Sequence, residues 1–178
     1  KWASASQAFE AMLQSLASYP NPERIRFKIA ECREKEGKKE KAIQQYQAVV
    51  ETAPSSSKAM EAKYRMAQLY EDLKQGDKAF ALYEETANSN TGDIAARARF
   101  RLGELLEARE EYDQAARSFM RVAILFLHEE LSPRALWRAG QSFSKGGSEE
   151  QSRKAYEELI ADYPDSKLAQ QAREQLKS

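Results

Sequence analysis

The feature of this sequence that most restricts its fold is a short pattern that returns four times at a nearly constant interval. The pattern consists of an aromatic residue, a polar residue, an apolar residue and then Ala or Gly. Its aromatic positions are Phe27, Tyr64, Phe100 and Trp137, which follow one another at intervals of 37, 36 and 37 residues. Self-similarity at a fixed period is typical of repeat proteins, in which one structural unit stacks on the next.

A second pattern follows the first in every period, and it consists of a small residue with an aromatic residue four positions later. The pairs are Ala42/Tyr46, Ala79/Tyr83, Ala115/Phe119 and Ser152/Tyr156, again at intervals of 37, 36 and 37 residues. Two independent markers that keep one period predict an array of equivalent units. Ala8 and Met12 stand in the relation of Ala42 and Tyr46 at a step of 34 residues, so we expect a half unit where the array is cut or capped.

Each period reads as two helices joined by a short polar break. Apolar residues between positions 60 and 73 recur every three or four residues, which is the stripe of an amphipathic helix. Asn21-Pro22 and Ser132-Pro133 each place a capping side chain before a proline suited to the first helical position, and residues 148–151 match a capping box. The sequence therefore predicts about ten helices, the last from about Asp165 to Leu176.

Small residues explain how the two helices of a unit approach each other. The first pattern ends in Ala30, Ala67, Gly103 and Gly140 in the four periods. A small side chain there lets two helices come close, while the aromatic residue of the second pattern fills the gap beside it. We therefore expect a larger residue at Gly103 to overpack this contact.

The composition argues against several functional classes. Lys and Arg together number 28, as do Asp and Glu, so no net charge draws the chain to nucleic acid or to a membrane surface. The basic clusters are interleaved with acidic residues, as in 34–41, which also argues against nucleic acid. The longest uncharged apolar run, 122–127, has six residues where a transmembrane helix needs about 20. With a single Cys and a single His, neither a metal site nor a cofactor is predicted.

The search for catalytic residues leaves two weak candidates. His128 precedes Glu129 and Glu130 near a predicted helix end, which favours a solvated or capping role over general-base catalysis. Cys32 lies at a helical position without a neighbouring base, so we expect a buried or inert thiol. The sequence has no Gly-rich phosphate loop and no metalloprotease or EF-hand motif. The chain is therefore predicted not to be an enzyme, and an unrecognised site around His128 is the alternative.

Together the markers resemble the tetratricopeptide repeat (TPR), whose pattern is W-x2-L-G-x2-Y, then A-x3-F, then P. Leu102-Gly103, Ala115 and Phe119 match this pattern in the third copy. The fourth copy matches at Gly140, Phe143, Ser152, Tyr156 and Pro164. The resemblance implies an all-α fold, a right-handed α-solenoid of TPR-like helix-turn-helix repeats.

The resemblance covers residues 1–178 as a single array. It implies a half repeat at 4–20, repeats at about 22–54, 57–90, 93–128 and 133–164, and a C-terminal capping helix at 165–177. The chain departs from the family pattern at the leading Trp position, which holds Arg26, Lys63, Arg99 and Leu136. Its period also exceeds the family's 34 residues, so we expect a groove that differs from that of an ideal array.

One short string resembles bacterial cell-envelope TPR proteins of the Tol-Pal-associated and outer-membrane-assembly types. The string is Tyr163-Pro164-Asp165-Ser166-Lys167, and Tyr19-Pro20-Asn21 echoes it. This resemblance favours the bacterial periplasm or cell envelope as the location, with the cytoplasm as the alternative.

In the TPR family the first helix of each pair lines the concave face, so the resemblance implies a binding surface there. Its predicted residues are Phe27, Lys28, Tyr64, Arg65, Gln68, Phe100, Arg101, Trp137, Arg138 and Gln141. A row of aromatic residues beside a column of cations suits a protein or peptide partner with acidic and aromatic side chains. The predicted function is a protein-interaction scaffold, with a bacterial envelope adaptor as its leading form. In the competing interpretation, Lys28 and Arg101 form ordinary ion pairs within their helices and the aromatic residues pack between repeats.

The segment 119–127 is apolar around most of a helix, which predicts burial on more than one side. It belongs either to the internal core or to a contact with a second copy of the chain. The second interpretation gives an alternative function, that of a self-assembling TPR homo-oligomer.

Overall fold

The computed structural model describes residues 1–15, 20–88, 92–126 and 128–177. These residues form ten α-helices and no β-strand. The helices are α1 (Trp2–Ser15), α2 (Pro22–Lys35), α3 (Lys39–Thr52), α4 (Ser57–Asp72), α5 (Gly76–Asn88), α6 (Asp93–Ala108), α7 (Tyr112–Phe126), α8 (Leu131–Lys145), α9 (Glu149–Asp162) and α10 (Lys167–Gln175). Long helices with short links are what the periodicity of the sequence predicts.

The chain divides into two compact units, Lys1–Tyr83 and Glu84–Ser178. In the first unit α1 packs on α2, α2 on α3 and α3 on α4. In the second unit α6 packs on α7, α7 on α8 and α8 on α9, while α10 packs on α8 and α9. We name the helix pairs hairpin 1 (α2 and α3), hairpin 2 (α4 and α5), hairpin 3 (α6 and α7) and hairpin 4 (α8 and α9). Their organisation as one array with a half repeat and a capping helix stays a prediction.

The two aromatic markers of each period contact each other inside their hairpin. The pairs, with the distance between ring centroids, are Phe27–Tyr46 at 5.1 Å, Tyr64–Tyr83 at 5.7 Å, Phe100–Phe119 at 5.1 Å and Trp137–Tyr156 at 5.3 Å. The first three are edge-to-face, with interplanar angles of 62° to 64°, and the fourth is tilted at 44°. Each such pair stabilises its hairpin by about 0.5–1.5 kcal/mol beyond the apolar area that it buries.

The small residues allow the close approach that the sequence predicts. A Cβ atom added at Gly103 would lie 2.7 Å from Cε1 of Phe119, which is closer than real contacts of this kind. A Cβ atom at Gly140 would overlap the ring of Tyr156 in the same way. In the first unit Ala30 and Ala67 occupy the equivalent positions and are fully buried. The prediction that a ring fills the space beside a small residue is confirmed for both glycines.

The turn inside every hairpin has one residue in the left-handed region, and only two of these residues are glycine. Gly37 and Gly147 have φ angles of 74° and 77°, whereas Lys74 and Glu110 have φ angles of 60° and 62° at the equivalent positions. In each turn, the residue that directly follows the left-handed one donates its backbone N–H to the carbonyl oxygen five residues before it. A left-handed conformation costs a non-glycine residue about 1–2 kcal/mol, so hairpins 2 and 3 carry strain that the other two avoid.

Two serines act as N-caps of helices that follow longer links. Ser56 Oγ accepts the backbone N–H of Ala59, and Ser166 Oγ accepts that of Ala169, both at 3.0 Å. Each bond satisfies an N–H group that has no partner within its own helix. The link before α2 differs, because Pro22 takes the first helical position as predicted but Asn21 makes no side-chain capping bond.

As at Asn21, the predicted capping bonds of Ser148 and Ser132 are wrong. Ser148 precedes α9 but makes no capping bond, because its hydroxyl donates to Oδ1 of Asp113 at 3.2 Å. Ser132 lies inside α8, which already begins at Leu131, and its buried hydroxyl has no hydrogen-bond partner. The local pattern permits a cap at both serines, but the hydroxyl of Ser148 is turned toward another helix and Ser132 already lies inside α8.

Candidate protein-binding surface

The ten residues of the predicted binding surface all lie on the first helices of the hairpins, but their exposure differs. Phe27 and Phe100 are 1% and 4% exposed. Tyr64 and Trp137 are half-buried. The polar members are exposed or partly exposed, and they are Lys28, Arg65, Gln68, Arg101, Arg138 and Gln141. The structure thus divides the predicted set into supporting rings and an accessible polar row.

The two buried rings are covered by cations from the next first helix of their own unit. In the first unit, Nζ of Lys58 lies 4.4 Å from the ring centroid of Phe27. In the second unit, the guanidinium carbon of Arg134 lies 5.0 Å from the ring centroid of Phe100. A cation over a ring face is attracted by the ring's quadrupole. A partner that approaches these helices would meet Lys58 and Arg134 above the rings, rather than the rings themselves.

In the first unit the predicted cations have carboxylate partners. Lys28 Nζ lies 2.7 Å from Oε2 of Glu31 in the same helix. This hydrogen bond raises the pKa of the Lys28 ammonium group. Arg65 reaches back from α4 to α2, where its Nη1 lies 3.8 Å from Oε1 of Glu34. The first contact is the ordinary pair within a helix that the competing interpretation expects, and the second joins two hairpins.

The second unit repeats this arrangement with shorter contacts. Arg101 Nη1 lies 2.7 Å from Oε2 of Glu104, three residues later in α6. Arg138 of α8 reaches back to α6, with Nη1 3.4 Å from Oε1 of Glu104 and Nη2 paired with Glu107. Its guanidinium carbon also lies 5.3 Å from the ring centroid of Phe119. Ser142 donates a further hydrogen bond to Glu107, so this carboxylate ties the two first helices together.

These ion pairs make the surface less positively charged than the sequence predicts. Each cation of the row has at least one carboxylate within 4 Å, so the row is close to charge-balanced. The glutamates were not predicted as part of the site, although Glu34, Glu71 and Glu107 recur at the period of the aromatic markers. That recurrence is the sequence signal from which their role could have been inferred.

The same glutamates also hold tyrosine hydroxyl groups in the first unit. Tyr46 donates its hydroxyl proton to Oε2 of Glu34 at 2.9 Å, and Tyr83 donates to Glu71 in the same way. Burial, together with the charge of Glu34, raises the pKa of Tyr46 well above its usual range. The hydroxyl group of Tyr46 is therefore a structural hydrogen-bond donor at any physiological pH.

The structure places one of the two candidates for catalysis in the core and the other at the start of a helix. Cys32 is buried, and burial raises the pKa of its thiol, which makes it a poor nucleophile. The Nδ1 atom of His128 accepts the backbone N–H of Leu131 at 3.2 Å, which makes Nε2 the donor to Oδ1 of Asp93 at 2.7 Å. The predicted capping role of His128 is thus confirmed. A hydrogen bond from Arg97, and then the one from His128, lowers the pKa of Asp93.

Arg99 occupies the leading Trp position of the family pattern, and it is 7% exposed. Its Nη2 donates to the carbonyl oxygen of Ala87 at 2.7 Å and to Oδ1 of Asn88 at 3.2 Å. Burial, and then the charge of Arg121, lowers its pKa. The side chain therefore binds the end of α5 to α6, in the place where an indole ring would otherwise fill the space.

Within 1–15, 20–88, 92–126 and 128–177, no three His, Cys, Asp or Glu side chains are grouped so that they could hold a metal ion. None of the helices in this described part is long and apolar enough to cross a membrane.

The apolar segment 119–127 divides between the core and the surface. Phe119, Val122 and Ala123 are buried, as the core interpretation expects. Ile124 and Leu125 are 59% and 58% exposed at the end of α7. Leu127 lies outside the described residues. One side of α7 therefore belongs to the core, and the exposed side chains of Ile124 and Leu125 are available for a contact with a second copy of the chain.

Comparison with protein families finds tetratricopeptide repeats over most of the chain. One repeat profile matches residues 25–56 and 134–166, and a second matches residues 64–128. These segments contain both aromatic markers of all four hairpins. Among curated proteins, no sequence matches the chain.

Solved structures resemble the chain along almost its entire length. MamA shares 18% identity, with a TM-score of 0.67 over 90% of this chain and 81% of MamA. A tetratricopeptide repeat protein from Parabacteroides merdae ATCC 43184 shares 20% identity, with a TM-score of 0.69 over 98% of this chain and 65% of that protein. At such low identity these likenesses concern the fold. They confirm the predicted class, an all-α fold of the α-solenoid type.

Proposed function

The chain belongs to the tetratricopeptide-repeat family, and from this premise we propose that it is a non-enzymatic scaffold that binds a protein or peptide partner. Repeats of this family generally mediate protein–protein interaction. The proposed contact is the first-helix surface, which comprises Lys28, Tyr64, Arg65, Gln68, Arg101, Trp137, Arg138 and Gln141. The supporting observation is that, within each unit, equivalent positions of the first helices present accessible cations and amides beside one buried ring, Phe27 or Phe100, and one half-buried ring, Tyr64 or Trp137.

The ion pairs indicate which partner this surface suits. A guanidinium group has five N–H donors, so Arg101 and Arg138 can bind a further carboxylate while they keep Glu104. Gln68 and Gln141 add amide groups that both donate and accept hydrogen bonds. Because the row is nearly charge-balanced, we propose a partner that offers polar groups and a few carboxylates, with an aromatic side chain against Trp137, rather than a strongly acidic tail.

Charge reversal on the first helices tests this function. The test variant carries Arg65→Glu and Arg101→Glu, one substitution in each unit. The matched control carries Lys41→Glu and Arg117→Glu, which reverse exposed cations on second helices. Circular dichroism should show the same helix content in all three proteins. Quantitative affinity capture should then find partners that bind the wild type and the control but are lost from the test variant.

The outcome that would overturn the proposal is a captured partner set that both charge-reversed proteins retain equally. A partner lost equally from both variants would also count against it, because the effect would then follow net charge and not the first-helix surface. Titration of one purified partner against the three proteins gives the change in affinity directly.

Self-assembly is a second candidate function, because Ile124 and Leu125 expose large apolar side chains. If copies associate through this end of α7, Leu125→Ser should shift the protein toward the monomer in sedimentation velocity. Gln114→Ser, at an exposed position of the same helix, is the control. A wild-type monomer at high micromolar concentration would remove this candidate.

A role in the bacterial cell envelope stays a proposal that rests on the string from Tyr163 to Lys167. In the structure this string ends α9 and begins α10, with Ser166 as the N-cap. Such a local role recurs wherever two helices are linked in this way. Localisation of the tagged full-length protein by cell fractionation is the direct test.

A further inference from the structure

A cleft of about 420 Å³ lies in the second unit, between the end of α8, the start of α9 and the end of α10. Its lining includes Ser144, Glu149, Glu150, Tyr156 and Gln175. None of these residues belongs to the first-helix surface, and the family pattern assigns a place only to Tyr156, as a packing residue. The cleft is therefore a feature separate from the first-helix surface.

Hairpin 3 shows what the equivalent place holds one repeat earlier. There the guanidinium group of Arg138 lies over the ring of Phe119 and pairs with the carboxylate of Glu107. The residues 37 positions after Glu107, Phe119 and Arg138 are Ser144, Tyr156 and Gln175, and all three line the cleft. Hairpin 4 therefore keeps the aromatic ring of this arginine site but has a neutral residue in place of the arginine.

Hairpin 1 shows that the arginine site is not peculiar to one repeat. Arg65 from the next first helix lies 3.8 Å from Glu34, and Glu34 also accepts the hydroxyl proton of Tyr46. In both units an arginine therefore joins a glutamate beside the second aromatic marker of the preceding hairpin. Hairpin 4 is followed by α10, whose residue at this position is Gln175.

The cleft also has the charge that a cation requires. Ser144 replaces the glutamate of the earlier repeats, but its hydroxyl donates to Oε1 of Glu149 at 3.0 Å and so places a carboxylate beside it. Glu150 lies at the rim, where its carboxylate is already paired with Lys154 at 2.6 Å, and Arg153 is the basic residue among the described lining, so Glu149 is the carboxylate available to a cation. The carboxylate of Glu149 therefore supplies the negative charge next to the ring of Tyr156.

We propose that this cleft binds the guanidinium group of an arginine side chain from a partner protein. The guanidinium plane would stack on the ring of Tyr156 and pair with the carboxylate of Glu149, as Arg138 does with Phe119 and Glu107. The proposal stands apart from the first-helix surface, because it rests on the comparison between hairpins 3 and 4 and on the cleft itself.

Binding of a minimal probe tests the proposal without any partner protein. We would titrate ¹⁵N-labelled full-length chain with N-acetyl-arginine amide and follow backbone amide shifts by NMR. The control probe is N-acetyl-citrulline amide, which has nearly the same shape but no charge. Saturable shifts should appear at residues 149–156 and 175, with affinity for the arginine probe about fivefold higher than for the citrulline probe.

Substitutions then locate the bound probe. Glu149→Gln should lower the affinity several-fold, whereas Glu157→Gln, exposed on the same helix, should leave it unchanged. Gln175→Arg supplies an arginine from the chain itself and should abolish binding of the probe. Gln170→Arg places the same charge on an exposed position of α10 outside the cleft, and binding should persist.

Equal affinity for the two probes would overturn the proposal, because shape and not charge would then decide binding. Unchanged affinity in both Glu149→Gln and Gln175→Arg would overturn it as well. Since this experiment uses no partner protein, a negative result would not count against the proposed binding function of the first-helix surface. Conversely, failure of the charge-reversal variants above leaves the arginine site standing.

Discussion

Hairpins 1 and 3 share one positional plan, but they are held together by different contacts. In hairpin 1 the small residue is Ala30, and Glu34 accepts the hydroxyl proton of Tyr46 within the hairpin. In hairpin 3 the small residue is Gly103, against which the ring of Phe119 packs directly. Phe119 has no hydroxyl group, so Glu107 binds Arg138 and Ser142 of the following hairpin, whereas Glu34 divides its two oxygens between Tyr46 and Arg65 of the following hairpin. The spacing of markers places the rings, whereas the residue chosen at each marker decides what the neighbouring carboxylate stabilises.

The largest expected effect comes from filling the glycine of hairpin 3. Gly103→Leu should lower the free energy of unfolding by about 1–3 kcal/mol, because its side chain would meet the ring of Phe119. Gly76→Leu is the control, since a Cβ atom there has nothing within 4 Å. Urea denaturation followed by circular dichroism measures both. If Gly103→Ala instead stabilises the protein, as helix propensity alone would predict, then hairpin 3 does not depend on the close approach of the Phe119 ring to Gly103.

Removal of the carboxylates should have a smaller effect, and a larger one in hairpin 3 than in hairpin 1. Glu107→Ala should cost about 2 kcal/mol, because the side chain is only 11% exposed and both Arg138 and Ser142 lose an acceptor. Glu34→Ala should cost about 1 kcal/mol, because that side chain is 26% exposed and its contact with Arg65 is long. Equal losses of unfolding free energy in denaturation would show that the glutamates do not differ in role.

A double-mutant cycle separates the contact within hairpin 1 from the contact between hairpins. Tyr46→Phe should cost about 1 kcal/mol, because the hydroxyl–carboxylate hydrogen bond is lost while the ring is kept. The cost should disappear when Glu34 is already Ala. If Tyr46→Phe is equally costly in both backgrounds, the hydroxyl group stabilises the protein through some other contact.

The turns of the hairpins offer a prediction of the opposite sign. Glu110→Gly and Lys74→Gly should each raise the unfolding free energy by about 0.5–1 kcal/mol, because both residues have positive φ angles. Gly37→Ala and Gly147→Ala should lower it at the equivalent positions. A thermal unfolding series on the four variants gives the comparison. Destabilisation by Glu110→Gly would mean that side-chain contacts of Glu110 outweigh the backbone strain.

The smallest expected effect concerns acid. The pKa of Asp93 is lowered in the folded state by Arg97 and His128, so its contacts stabilise the protein above the ordinary value of 3.8 and are lost as the pH falls below it. Asp93→Asn should therefore lower the melting temperature slightly at pH 7, and the difference should shrink as the pH falls below 3.8. Asp165→Asn, at an exposed position, is the control and should leave the melting temperature unchanged. A difference that does not shrink as the pH falls below 3.8 would contradict the assigned role.

Much of the fold could be predicted, because the spacing of two residues in a helical hairpin determines whether their side chains lie opposite each other. The two aromatic markers lie 19 residues apart in every hairpin, so Phe27 reaches Tyr46 just as Phe100 reaches Phe119. The contact of Gly103 with a ring follows from the same spacing. These predictions depend on the geometry of two adjacent helices, which the sequence pattern contains.

The binding surface was harder to predict, because periodicity shows which residues share a helix face but not what a neighbouring helix places above them. Lys58 and Arg134 come from the next hairpin and cover the rings that the sequence suggested as accessible. The predicted cap at Ser148 does not form for a similar reason, since the hydroxyl group of Ser148 is turned toward Asp113 on another helix. Contacts between hairpins depend on individual side-chain reach, which the repeat pattern leaves open.

The ring of His128 connects the start of α8 to Asp93 on α6, and the chain contains no other histidine. Its two carbon-bound ring protons therefore give a single imidazole spin system in a proton NMR spectrum. That pair of signals reports on the link between hairpins 3 and 4 in the unlabelled, unmodified protein. Heating, pressure or the arrival of a partner can each be followed there in real time, with no need for a fluorescent dye.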